Sequence, residues 1–202
     1  MNPIIQKFIE ENIDYIEDEN FDVVYDKVRM DLSISIGELT DVFYDAGIDP
    51  LASLTEIPPL FLDGSKITAL VVPENIKKIC KAGLSFSRVE HLELHKDCEL
   101  SEMCFNTSEI RSVRIPNIMN EVPDECFYNC QELTYVDLNA IEQIGAEAFA
   151  YCMSLKNIFI PDGVTYIAGT AFEGCDITLY FHNNNEYAVS YCQRKNIKYK
   201  FV

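Results

Sequence analysis

Glu109 to Cys130 reads EIRSVRIPNIMNEVPDECFYNC, Glu132 to Cys152 reads ELTYVDLNAIEQIGAEAFAYC, and Ser154 to Cys175 reads SLKNIFIPDGVTYIAGTAFEGC. Equivalent residues recur 22 or 23 positions apart: Phe127, Phe149 and Phe172; Cys130, Cys152 and Cys175; Val122, Ile144 and Ile167; Val113, Val136 and Ile158. A period of this length is one coil of a solenoid, whose repeats bury their apolar sides only against their neighbours. Working outward, two weaker copies precede these from Ser65 on. One has Ile67, Leu70, Val72, Ile79 and Leu84, the other Val89, Leu92, Leu94, Leu100 and Phe105. An incomplete copy with Ile177, Leu179 and Phe181 follows. Terminal copies are atypical because they cover the apolar ends of the stack.

Each copy opens on L-x-x-L-x-L or a variant, whose last apolar residues alternate as a strand requires, one side chain inward and the next outward. Stacked coils then form a parallel sheet of short strands. Pro73, Pro116 and Pro161 stop the strand, and the chain crosses the far side through a second apolar position to A-F-x-x-C. The spacing predicts that Val113, Ile115, Val136, Leu138, Ile158 and Ile160 share one core. Phe127, Phe149 and Phe172 then form a ladder on its far side.

The pattern resembles the leucine-rich repeats of the BspA and Treponema type, with consensus L-x-x-L-x-I-P-x-x-V-x-x-I-G-x-x-A-F-x-x-C. IFIPDGVTYIAGTAFEGC and VDLNAIEQIGAEAFAYC follow it almost position by position, whereas the first two copies have AGLSFS and MCFNTS in place of the last element. The resemblance covers residues 65–202. Its tail, Glu186 to Ser190 and Tyr191 onward to Asn196-Ile197-Lys198-Tyr199, is similar to the family's closing helix and strand. The fold class it implies is an α/β leucine-rich-repeat solenoid with short parallel strands. Members are commonly surface or secreted adhesins, and intracellular and phage-encoded relatives with an acidic helical leader are similar in layout.

Ahead of the repeat, residues 1–64 hold 15 acidic groups against Lys7, Lys27 and Arg29, a net of −12 in a 202-residue chain of −17 overall. The asymmetry divides the chain into an acidic helical unit, 1–58, and the solenoid with its C-terminal cap, 59–202, with the boundary at Pro58-Pro59. A first helix starts at Asn2 and Pro3 with Ile5, Phe8, Ile9, Ile13 and Ile16 on one face; a second spans Phe21 to Leu32. Ser35-Ile36-Gly37-Glu38 fits a capping box for a third that ends at Ala46-Gly47, and Asp49-Pro50 begins a further short turn. Three such helices bury too little to stand alone, so they are expected to shield the open end of the first coil.

The excess of negative charge disfavours nucleic acid and anionic membrane surfaces as partners. No run of about 18 apolar residues occurs. The first residues, MNPIIQKFIEEN, lack the basic start and unbroken apolar stretch of a secretory signal, which gives a cytoplasmic location as the expectation. The eight cysteines then read as thiols, and with no C-x-x-C they make no zinc framework. His91 and His95 lie about 13 Å apart along a strand, too far for one metal ion, and His182 lies coils away. No phosphate loop or catalytic motif is present. The chain reads as non-enzymatic, with no cofactor and no small-molecule substrate.

What remains is binding. The outward strand positions read His91 and Glu93, Ser112 and Arg114, Tyr135 and Asp137, Asn157 and Phe159, Thr178 and Tyr180. Tyr135, Phe159 and Tyr180 on neighbouring strands, rimmed by Arg114, Asp137 and His182, have the composition of a protein-binding hot spot. The expected function is protein–protein interaction through the strand face, with an unidentified protein as partner. The alternative is an inhibitor that uses the acidic unit as a decoy for the nucleic-acid site of a host protein.

Overall fold

The computed structural model describes residues 7, 9–17, 27, 36–182 and 185–202. In chain order its strands are β1 (Glu56–Ile57), β2 (Ala69–Val71), β3 (Lys78–Ile79), β4 (His91–Glu93), β5 (Glu99–Leu100), β6 (Ser112–Arg114) and β7 (Glu121–Val122). They continue with β8 (Tyr135–Asp137), β9 (Gln143–Ile144), β10 (Asn157–Phe159), β11 (Tyr166–Ile167), β12 (Thr178–Phe181) and β13 (Lys198–Phe201). Helices α1 (Ile13–Glu17) and α2 (Ile36–Asp45) precede β1, and α3 (Glu186–Lys195) lies between β12 and β13.

Alternation at the repeat's opening makes the front strands: Val113, Val136 and Ile158 are buried between exposed or half-exposed neighbours. All pairings are parallel, β2 with β4, β6 with β8, and β10 with β12 and then β13. The front is therefore a broken series of short ladders rather than one sheet. The far side, expected to be a plain crossing, carries ladders of its own, β1–β3–β5 and β7–β9–β11. Its second apolar position explains them, because Val122, Ile144 and Ile167 point inward while a polar or tyrosine neighbour points out, enough for a two-residue bridge.

The core follows the period. Val113, Ile115, Val136, Leu138, Ile158 and Ile160 are all buried in one cluster. Phe105, Phe127, Phe149 and Phe172 stack with near-parallel rings at centroid spacings of 5.2, 5.4 and 5.5 Å. The ladder thus starts one coil earlier than the three strong repeats indicate, in the irregular MCFNTS copy.

The turns that carry these rings are strained by intrinsic preference. Met103, Thr107, Glu125, Asn129, Glu147 and Tyr151 all adopt left-handed backbone, with φ between 53 and 60°, a conformation that favours glycine. Stacking offsets the strain, since the N–H groups of Thr107, Glu125 and Asn129 donate to Tyr128, Ala146 and Ala150 carbonyls of the next coil at 2.7 to 2.8 Å.

The repeat cysteines are free thiols with a defined task. The Sγ atoms of Cys130, Cys152 and Cys175 donate to the carbonyls of Phe105, Phe127 and Phe149 in the preceding coil, each at 3.0 Å. Cys130 and Cys152 are fully buried, but Cys175, in the equivalent slot, is half-buried, because no further full repeat covers it. Of the cysteines outside these slots, burial pushes Cys98 up to about 12 and Cys192 to about 11, so few molecules carry those thiolates near neutrality. Native-state alkylation is accordingly expected to leave Cys130 and Cys152 unmodified while Cys175 reacts. Rapid labelling of Cys130 and Cys152 would refute their enclosure.

Upstream, α2 lies on the first coil. Leu39 and Phe43 are buried in the common core, Thr40 Oγ1 donates to Phe61 O at 3.0 Å, and Ser65 Oγ donates to Asp41 Oδ1 at 2.6 Å. α2 stops at Gly47 with φ of 76°, and Asp49 caps the turn Pro50–Ala52 by accepting from Leu51 N, both as read from the residues. The parallel ladder already starts at Glu56, before Ser65 and before Pro58-Pro59. α1 departs from its predicted face: Ile16 is buried and Ile9 packs on the core, yet Ile13 is 42% exposed and Asn12 is buried instead. Ile9, Asn12 and Ile16 are spaced i, i+3 and i+7, so the inward face runs through Asn12 and leaves Ile13 at its edge. Residues 1–6, Phe8, Ser35 and, except for Lys27, the second helix lie outside the described residues.

Candidate functional site

Each front strand sends its first and third side chains to solvent, so pairing sets them in two columns. In one, Ser112 stands beside Tyr135, and Asn157 beside Thr178 and Lys198. In the other, Arg114 stands beside Asp137, and Phe159 beside Tyr180 and Lys200. Tyr135 therefore sits in a different column from Phe159 and Tyr180, and faces them diagonally.

The three rings still converge. Tyr135, Phe159 and Tyr180 line one depression of about 450 Å³ with Asp137, Asn139 and Asn157. Val136, Leu138, Ile158 and Pro161 complete its lining. Tyr135 is 60% and Phe159 41% exposed, so their apolar surface is available to a ligand, while Tyr180 is half-buried.

Further polar groups surround the depression, but His182, Lys200 and Arg114 stand outside its lining and reach it only through Phe159, Tyr180 and Asp137. His182 Nδ1 pairs with Asp162 Oδ2 at 2.9 Å, and its ring meets Phe159 edge-on at 5.4 Å. Lys200 Nζ lies 6.0 Å from the centre of the Tyr180 ring, in cation–π range. Arg114 Nε pairs with Asp137 Oδ2 at 3.2 Å. Arg114 does not itself line the depression, since it stands on the strand beyond Asp137. Its reach is through Asp137, and an exposed pair of this kind contributes little stability.

Sequence reading named Asn157 only as an outward strand position, and missed Asn139 in the lining and Lys200 over the Tyr180 ring. Asn139 holds a left-handed backbone, its N–H donates to Asp137 Oδ1 at 2.9 Å, and its Nδ2 donates to Asn117 Oδ1 at 2.5 Å. The 22-residue offset between the two asparagines was the available signal. Lys200 depends on the register of β13 against β12, which no repeat spacing fixes.

Nothing in the depression assembles into a nucleophile and base. His91 is exposed on its strand, and His95 Nε2 is engaged by Ile76 O at 2.6 Å. Among the described residues no three His, Cys, Asp or Glu side chains are placed to hold a metal ion, and no helix is long and apolar enough to cross a membrane. Aromatic faces, a cation over one of them and carboxylates at the edge suit a polypeptide surface.

The molecule is by this geometry a leucine-rich-repeat solenoid with a laterally exposed strand face. The chain belongs to the BspA type leucine-rich repeat family, whose repeat region matches residues 55–178 in six copies. Repeats of this kind generally mediate protein–protein interaction, and proteins built from them are typically non-enzymatic.

Solved structures agree on the fold. The pneumococcal vaccine antigen PcpA is similar with a TM-score of 0.55 and 22% identity over 60% of this chain and 32% of that one. A leucine-rich cell surface protein from Faecalibacterium prausnitzii gives 0.57 and 21% over 62% of this chain and 35% of its own. A leucine-rich repeat protein from Bacteroides ovatus gives 0.53 and 20% over 74% and 46%. The chain thus spans less than half the length of each. No curated protein matches it.

Proposed function

We propose that this chain is a non-enzymatic interaction module that binds a protein partner through the depression between Tyr135, Phe159 and Tyr180. The reading rests on one observation above the rest: three aromatic side chains from three different coils converge on a single concavity, although the fold leaves those positions free to be polar. Asp137, Arg114 and His182 supply orientation at the rim, and neither cofactor nor small-molecule substrate enters the scheme. A surface of this composition concentrates binding energy in its aromatic anchors.

Phe159→Ala and Tyr180→Ala are each expected to weaken the partner's binding by at least ~1 kcal/mol while thermal unfolding stays near that of wild type. Titration calorimetry against a partner isolated on the wild-type protein reads this directly. Wild-type affinity in both variants would remove the strand face as the site. Affinity that instead falls steeply with salt would transfer the role to the acidic leader.

A further inference from the structure

Two adjacent coils depart from the repeat in the same slot and in the same way. The residue before the stacked phenylalanine is Ala148 in one coil and Ala171 in the next, but Cys104 and Cys126 in the two coils before them. Their Sγ atoms stand 3.4 Å apart, and both side chains are fully buried. Cys130, Cys152 and Cys175 give their thiols to backbone carbonyls, with Cys152 also against Cys130, whereas Cys104 and Cys126 meet each other directly.

The backbone holds them in place. Met103 N donates to Asp124 O at 3.1 Å and Phe105 N to Cys126 O at 3.0 Å, hydrogen bonds that flank the pair and keep the coils in register. Neighbouring strand-like segments lie about 4.8 Å apart, inside the window of roughly 4.4–6.8 Å that a disulfide bridges without moving the backbone. Side-chain rotation alone then has to close the sulfur separation to about 2.05 Å.

We propose that Cys104 and Cys126 are a site of covalent modification, an inter-coil disulfide formed by exchange with a small-molecule disulfide such as oxidised glutathione. One thiol loses its proton to solvent, and the thiolate attacks a glutathione sulfur, giving a mixed disulfide and releasing one glutathione thiolate. The second cysteine, deprotonated in turn, attacks the protein sulfur of that mixed disulfide and expels the second glutathione. Two electrons pass from the protein thiols to the glutathione disulfide, which leaves as two reduced molecules. Burial pushes the Cys126 thiol well above its ordinary value, so the folded thiols exchange slowly and the bond is set while the chain folds.

The test is to unfold the full chain, refold it in a mixture of reduced and oxidised glutathione, quench with acid, block remaining thiols with an alkylating agent in denaturant so that buried cysteines also react, and map the peptides by mass spectrometry. The expected product has lost two hydrogen atoms, carries a peptide cross-link between Cys104 and Cys126, and unfolds at higher denaturant than the reduced protein. Cys104→Ala and Cys126→Ala restore the alanine used in the following coils, so both should fold, and in both the cross-link should be absent. Alkylation of all eight cysteines after oxidative refolding would overturn the proposal. So would a cross-link that joins any other pair, Cys126 to Cys130 or Cys130 to Cys152 included.

Discussion

Phe149→Ala is expected to lower stability by about 3–5 kcal/mol, because it opens a cavity at the centre of a close-packed stack. Phe149 has no exposed surface, and parallel rings lie on both sides, Phe127 at 5.4 Å and Phe172 at 5.5 Å. Neither neighbour can move into the space, since the N–H of Phe127 is bonded to Ala148 O and that of Phe149 to Ala171 O, each at 2.9 Å. The ring's position also matters. In a solenoid each coil is stabilised by the interfaces on its two sides, so a defect in the middle weakens both and a defect at an end weakens one. Phe172 closes the ladder, and its truncation should therefore cost less than that of Phe149. Urea unfolding followed by circular dichroism reads both differences. A loss below about 1 kcal/mol for Phe149→Ala would mean that the ring contributes little to the core.

The spacing of 22 residues made the core legible because identical slots in successive coils face the same surroundings. Val136 and Leu138 could be placed inside, and Tyr135 outside, from alternation alone, and the structure agrees. Alternation and the repeat alignment already place Tyr135 at the first outward position of its strand and Phe159 and Tyr180 at the later one, so the diagonal offset was legible, whereas Lys200 depends on the register of β13 against β12, which no repeat spacing fixes. The left-handed turns were hidden for a different reason. Glu125, Glu147 and Tyr151 have no intrinsic preference for positive φ; the inter-coil hydrogen bonds impose it, and those exist only once the stack has formed. Ile13 lies at the edge of a face that runs through Ile9, Asn12 and Ile16, and helical spacing alone does not choose between positions 12 and 13 as its inward member.

Phe43→Ala is expected to release α2 from the first coil, at a cost of about 3–5 kcal/mol to that contact. Phe43 and Leu39 are buried against a coil end that contains Ile57, Phe61 and Leu62, all without exposed surface. The approach is close. A methyl group added at Gly37 would overlap the Asp63 carbonyl, so the helix has little room to shift and refill a cavity. Because coils contact only their neighbours, the damage should be graded along the chain. Hydrogen exchange is expected to accelerate at Phe61, Leu62 and Leu84, whose amides are bonded within the first coils. At Phe127 and Phe149 protection should persist. Removal of residues 1–56 carries the same logic further: it exposes the apolar end of the stack, and the truncated chain should aggregate through it. A monomeric truncated chain with unchanged melting, or unchanged exchange at Phe61 and Leu62 in Phe43→Ala, would mean that the leader does not cap the solenoid. Its acidic surface would then be the place to look for a second binding activity.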